Sequence, residues 1–272
     1  MAQVLIKGTA WEKSLQDYAY TRALSSAGWA WEFLRRNEDY QRDVRLNRAG
    51  HPGAISHLSG STLYRPRRRF MAAERWGLSF FCDPSKSALQ ASPFWLSELV
   101  TNVAYCEAVT TNDNSSDNRG ELLSMASFNG RRAVLASCNG EIFSVTHGIR
   151  NVSLVVTEGS FVVRANILRF HHKGLHTASR HAETLKVLTQ LSTENTDTAP
   201  VMAGSEVKYR DYLVALDGRL AGRSYRDIAE ILYGTDRVGV YWTDDTRGLK
   251  SKVRRAVECG LALMNGGYRE LL

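Results

Sequence analysis

The chain is poor in the residues that build stapled, metal-centred or membrane-spanning proteins. Only four cysteines occur in 272 residues: Cys82, Cys106, Cys138 and Cys259. None stands in a CxxC pair and none has a histidine at finger spacing, so no zinc finger or dithiol redox motif is encoded. Disulfide frameworks belong to small secreted chains, which this is not; free thiols, mostly buried, are expected. No run of about 18 apolar residues is present, so no membrane span is expected. The opening MAQVLIKGTAWEKSLQDYAY has neither a signal-peptide apolar core nor a small-residue cleavage site, and the expected location is the cytoplasm. Walker, GxSxG, GxGxxG and HExxH motifs are missing. In RFHHKGLH, His172 and His176 stand four apart, a spacing that chelates metal on a helix. Gly174 interrupts that stretch and no nearby acid completes a set, so no enzyme, metal or cofactor is expected.

What is present is positive charge. The formal net charge is +7 and the isoelectric point about 9.3, a balance that favours polyanionic partners if it is focused on one face.

Along the chain the pattern is first helical. From Trp11 to about Ala49, Leu15, Tyr18 and Ala19 lead to a break at Ser25-Ser26. The run AGWAWEFLRRNEDYQRDVR then repeats Trp29, Phe33, Arg36 and Tyr40 on successive turns. Trp29, Trp31 and Phe33 are read as core, since large aromatics mainly bury. Between Gly50 and Arg69 glycine, serine and proline punctuate a loop. It ends in Arg65, Arg67, Arg68 and Arg69 around Pro66. Like charges clustered without acids repel unless a polyanion neutralises them, so this is a candidate phosphate-contacting loop; a solvated surface loop is the plainer reading.

Residues 70–109 mix short helical and extended pieces, and the polar TTNDNSSDNRG from Thr110 to Gly120 marks a boundary. Two Asn-Gly pairs follow, Asn129-Gly130 and Asn139-Gly140, the strongest short hairpin signal because both residues tolerate positive φ. With two further strands around Glu158-Gly159, a β-meander is expected over 121–170. Ala178 to Leu191 returns to helix, and Ser192 to Ser205 reads as a linker.

The last block carries the sharpest signals. Tyr209, Tyr212, Leu213, Leu216 and Leu220 form one face of an amphipathic helix, with Gly222 as its left-handed terminator. In GRSYRDIAEILYG, Ser224 and Asp227 have capping-box spacing and Gly234 closes the helix. A further helix is expected from Thr246 to Met264, with Thr243 as N-cap. Leu249, Val253, Ala256, Val257 and Met264 form its inward stripe. Arg247, Ser251, Arg254, Arg255 and Glu258 face away, flanked by Lys250 and Lys252, and from Arg247 to Arg255 the charge is all positive. Such a helix suits the major groove, where arginine grips guanine and lysine neutralises phosphate. Capped helix, turn and basic helix in this order read as a helix-turn-helix. The apolar TDRVGVYWT between them is longer than the usual turn of about 3–4 residues and is expected to pack on the domain.

At these residues a resemblance appears. LDGRLAG, SYRDIA and the terminal GGYRELL resemble the C-terminal DNA-binding domain of a proteobacterial regulator family. That family includes an activator of type VI secretion genes (RovC-type) and activators of excision in conjugative elements (FseA-type). AGWAWEFLRRNEDYQRD, RWGLSFFCDP and PFWLSEL are similar to the regulator-like domain that often precedes it in such chains. The resemblance implies a sequence-specific transcription regulator, an activator, acting on double-stranded DNA as a homo-oligomer. Arg226, near the start of the opening helix, is assigned a phosphate contact. The competing class is a protein-interaction module of anti-activator type, whose basic face binds a regulatory protein instead of DNA. The expected fold is α+β: an N-terminal helical domain (1–109), a central antiparallel β-meander with a helix (121–191) and a C-terminal all-α helix-turn-helix domain (205–272).

Overall fold

The computed structural model describes residues 14–47, 51–110, 120–138, 140–171, 174–193, 204–242 and 248–272. A 3-10 segment, Leu15–Ala23, leads into α1 (Ser26–Leu34) and α2 (Glu38–Leu46). Both helices start on capping side chains. Ser25 Oγ accepts from the Gly28 N–H at 3.2 Å and Asn37 Oδ1 from the Tyr40 N–H at 3.0 Å, each relieving an orphan donor of a first turn. Helix α1 is buried on nearly all sides, as its apolar sequence requires. Trp29, Trp31 and Phe33 are core, as their bulk predicts.

Strands β1 (Ala54–Ser56) and β2 (Thr62–Tyr64) come from the stretch whose glycines and serines predict only a loop. The short α3 (Met71–Glu74) and β3 (Val103–Val109) follow. The remaining strands are β4 (Leu122–Leu123), β5 (Arg131–Ser137), β6 (Gly140–His147), β7 (Arg150–Glu158) and β8 (Asn166–His171). Among the described residues they form an eight-stranded mixed sheet in the order β1-β2-β5-β6-β7-β3-β8-β4. β5, β6 and β7 pair antiparallel in sequence order, but β2 joins β5, and β3 joins β7, in parallel. The sheet is therefore wider and less regular than a meander, and the N-terminal segment supplies three of its strands.

The turn signals fall unevenly. Gly140 stands opposite Ser137 in the β5–β6 hairpin, with Asn139 outside the described residues. Gly130 is not a hairpin turn: at φ +114° it passes so close to β6 that a Cβ would lie 2.5 Å from the Thr146 carbonyl oxygen. Glu158-Gly159 ends β7, but the next strand, β8, pairs with β3 instead. Local turn chemistry cannot distinguish these partners.

Among the described residues five helices precede a terminal 3-10 turn, Gly267–Leu271: α4 (Leu175–Thr193), α5 (Gly204–Leu220), α6 (Tyr225–Tyr233), the short α7 (Thr235–Tyr241) and α8 (Leu249–Met264). Because β8 ends at His171 and α4 begins at Leu175, RFHHKGLH is not one helix; His172 and the His176 side chain lie outside the described residues.

The sheet separates two apolar cores. On one face Val134, Phe143, Val145, Val152 and Leu154 pack with Leu188 and Leu191 of α4. The other core joins α1, α2 and the 70–95 segment to α5, α6, α8 and the terminal turn, and takes Ala133 and Leu135 from β5. The N-terminal helices and the C-terminal helices thus bury their apolar faces in one body.

Candidate nucleic-acid interface

Helix α5 ends at a glycine turn. Gly222 has φ +74°, and the Arg223 N–H donates to the Gly218 carbonyl at 2.9 Å, satisfying carbonyls that the helix end leaves open. Then α6 starts on the predicted reciprocal cap. The Asp227 N–H donates to Ser224 Oγ at 3.2 Å and the Ser224 N–H donates to Asp227 Oδ2 at 3.1 Å. Ile228, Ala229 and Leu232 are buried.

The stretch read as an apolar insert is itself a helix, α7, entered through Gly234 at φ +85°. Only part of its apolar content packs. Val238 is fully buried, whereas Val240 and Tyr241 are 71% and 58% exposed.

Helix α8 begins at Leu249, behind an extended Gly248 that offers no side-chain cap. The predicted start at Thr246, with Thr243 and Arg247, lies outside the described residues. Leu249, Val253, Ala256, Val257, Gly260 and Met264 face inward, the stripe that its 3.6-residue period dictates. Gly260 marks where α8 crosses α5: a Cβ there would sit 2.7 Å from the Tyr212 carbonyl oxygen and 3.0 Å from Leu216 Cβ. The same contact raises the Tyr212 pKa to about 12, chiefly by burial and then by the hydrogen bond with Cys259.

On the far side of α8, Arg254 and Arg255 are exposed, with Glu258 between them and Ser251 partly buried one turn earlier; the exposed Lys252 and the partly buried Lys250 flank that side. Arg254 lies 4.0 Å from Glu258, both side chains more than 60% exposed. Arg226, on the first turn of α6, lies 3.5 Å from Glu230. Exposed pairs of this kind contribute about 0–1 kcal/mol, so neither arginine is committed to its neighbour.

The arginine loop belongs to a different place. Arg65, Arg67 and Arg68 line an open cleft with His51, Pro52 and Ile55. Arg69 turns away and holds Glu74 with both ends of its guanidinium, Nη2 lying 2.6 Å from Oε2. Arg68 lies 5.8 Å over the Phe70 ring.

The polar joint that holds this helical group in place leaves almost no local trace in the sequence. Asp217 of α5 accepts both Nε and Nη2 of Arg36, and the Tyr18 hydroxyl. Arg36 also donates to Glu32 Oε2 at 2.7 Å. Burial alone would lower the Arg36 pKa, but the carboxylates of Asp217 and Glu32 drive it well above the usual range. Glu32 behaves in the converse way. Burial would raise its pKa, but Arg36, Arg35 and the Ala88 N–H outweigh it and the net direction is down. An acid four residues before an arginine within a run as apolar as WAWEFLRR is the one local hint of it. The partner in α5 has no local signal. The terminal GGYRELL closes on the N-terminal segment too. The Tyr268 hydroxyl donates to the Trp76 carbonyl at 3.0 Å, and the Thr101 N–H donates to the Leu272 carbonyl oxygen at 2.7 Å.

Residues 166–272 match the family described as the T6SS transcription factor DNA-binding domain. Residues 11–81 match the proteobacterial transcriptional regulator-like domain. No curated protein and no solved structure matches the chain. The first match starts at β8 and runs through α8; the second spans α1, α2 and α3. Asp217 lies in one match and Arg36 in the other.

Proposed function

We propose that this chain, which joins a proteobacterial transcriptional regulator-like domain to a T6SS transcription factor DNA-binding domain, reads double-stranded DNA through α8 and activates transcription. The observation that carries the reading is the division of α8. One face is buried against α5 and α6, and the opposite face presents Arg254 and Arg255, with Glu258, to solvent, with the exposed Lys252 at its edge. A helix so divided fits the major groove, with arginines available for guanine edges and lysine for phosphate. Lys250 and Lys252 flank that face, Ser251 lies on it, and Arg247 precedes it. Helix α6 is the supporting element of a helix-turn-helix, with Arg226 at the backbone and α7 as an elaborated turn. The regulated genes are those of secretion or of a mobile element, and the protein acts in the cytoplasm as a homo-oligomer. Symmetric DNA sites normally need two reading heads.

The test is genome-wide mapping of bound fragments, followed by titration of the recovered fragments with Arg254→Ala/Arg255→Ala protein. Loss of base-contacting arginines costs about 1–3 kcal/mol each, so affinity should fall at least ~30-fold. Unchanged affinity for every specific fragment would sink the assignment of this face.

A further inference from the structure

A cavity of about 180 Å³ lies between the sheet and the N-terminal helical layer. Its floor follows from strand register. Arg131 of β5 stands opposite Thr146 of β6, and Thr146 opposite Asn151 of β7. The next row on the same face is Ala133, Ser144 and Ser153. Alternate strand residues share a face, and the intervening Phe143, Val145 and Val152 belong to the opposite core. These six residues all line the cavity. Its other wall holds Trp95 and, from the cap and first turn of α1, Ser25 and Gly28.

The polar groups here are mismatched with the protein alone. Arg131 is partly buried, and its guanidinium donates to main-chain oxygens: to the Ala88 carbonyl at 2.8 Å and to that of Ala91. Among the described residues no Asp or Glu lines the cavity, and no carboxylate pairs with Arg131. Burial lowers its pKa, the direction set when a cation loses water without gaining an acid. Asn151 Nδ2 donates to Thr146 Oγ1 at 2.7 Å and reaches Ser144 Oγ at 3.5 Å. Both hydroxyls therefore act as acceptors toward the amide and keep their own protons for another partner. The Trp95 side chain is 6% exposed, and its indole N–H has no acceptor among the described residues. The start of α1 adds the positive end of a helix dipole.

A cationic fork, free hydroxyl protons and a helix N-terminus in one enclosed space all favour negative charge. The geometry points to a binding site for a small organic anion, whose carboxylate or phosphate group pairs with Arg131 and is met by Ser144 and Thr146. The volume lies below the roughly 300–1,000 Å³ of drug-sized sites, so the ligand is a small metabolite. Guanidinium matches both oxyanions bidentately. The site is distinct from the α8 face and does not depend on the DNA reading.

The experiment is thermal denaturation of the full chain with sodium malonate or inorganic phosphate, against sodium chloride at equal ionic strength. At ten times its Kd, a ligand of this site should raise Tm by about 3–5 °C, and saturably. The better of the two probes identifies the oxyanion. Arg131→Gln should abolish the rise. Because Arg131 also holds the 88–91 carbonyls, Ser153→Leu provides a second variant that fills the cavity and leaves the arginine; it should abolish the rise as well. Arg254→Ala/Arg255→Ala should retain it, which separates the cavity from anion binding on the basic face. The proposal is overturned if neither probe gives a saturable rise, if Arg131→Gln and Ser153→Leu keep it, or if the α8 double variant loses it.

Discussion

Arg36 holds the Asp217 carboxylate in a two-nitrogen grip, Nη2 lying 3.0 Å from Oδ2, and the Tyr18 hydroxyl donates to the same oxygen at 2.8 Å. The Arg36 and Asp217 side chains are only 9% and 10% exposed. One residue sits in the regulator-like segment and the other in the DNA-binding segment. Their contact is thus the polar joint of a shared apolar core. It orients α5, and α5 in turn carries α8.

Removing one partner of a buried ion pair costs up to about 3–5 kcal/mol; without Asp217, Arg36 keeps only Glu32 as a carboxylate partner among the described residues and the Tyr18 hydroxyl loses this acceptor. Asp217→Ala should therefore lower Tm by roughly 6–20 °C, taking about 2–4 °C per kcal/mol for domains approaching this size. Arg36→Met with Asp217→Leu should recover much of the loss, because no buried charge is left alone. Calorimetry on the three proteins decides it. A single variant that melts within a degree or two of wild type would show that the joint carries no stability.

Glu32 gives the fold an acid limit. Its carboxylate is fully buried and accepts from Arg35 and Arg36 at 2.7 Å, from Tyr20 at 2.9 Å and from the Ala88 N–H at 2.7 Å. Burial works to raise its pKa, the arginines prevail, and the folded pKa lies below the ordinary value. A group depressed on folding contributes stability that is complete above its unfolded pKa of about 4.3 and disappears as pH falls through the folded pKa. Wild-type Tm should drop on acidification below about pH 4.3, and Glu32→Gln should be less stable at neutral pH but show a shallower acid-side slope. Equal slopes for the two proteins over pH 3–6 would refute this role.

Much of the C-terminal group is legible in the sequence because its signals are local. Ser224 and Asp227 cap each other as their spacing predicts, Gly222 takes positive φ, and the predicted inward stripe of α8 is buried. The rest depends on partners far along the chain. Arg36 and Asp217 are 181 residues apart, and no helical period refers to such a distance. The parallel pairings of β2 with β5 and of β3 with β7 leave no turn signature, since no tight turn joins them. Gly130 reads as a hairpin residue because Asn-Gly chemistry reports only the tolerance for positive φ, while its real constraint is the approach to Thr146. The 235–241 stretch reads as an insert because a helix this short, with one buried valine, has almost no periodicity to reveal.

Gly260 offers a direct test of how α8 is seated. An added Cβ would meet the Tyr212 carbonyl oxygen at 2.7 Å, and a main-chain atom cannot swing aside as a side chain can. Gly260→Ala gains helix propensity of about 1 kcal/mol, yet the overpacking should outweigh it and leave a net loss of about 1–2 kcal/mol. The displacement should also weaken DNA binding, although Gly260 lies on the face away from the cations. A Gly260→Ala protein as stable as wild type, with unchanged affinity, would mean that the two helices do not approach this closely.

The arginine loop separates into residues of different expected behaviour. Arg69 is engaged with Glu74, so its charge is locally neutralised. Arg65 and Arg67 are exposed and carry no carboxylate partner among the described residues. If the loop lies along the DNA backbone, the double variant Arg65→Ala/Arg67→Ala should weaken binding to all sequences alike. It should also reduce the slope of log K against log salt by about 1.8, at ~0.9 per lost phosphate contact. Arg69→Ala should leave that slope unchanged and barely alter stability, since its pair with Glu74 is exposed. Titrations at several salt concentrations, on a specific and a scrambled fragment, measure both. A slope equal to that of wild type in the double variant would assign the loop to solvent and leave the α8 face as the whole of the electrostatic contact.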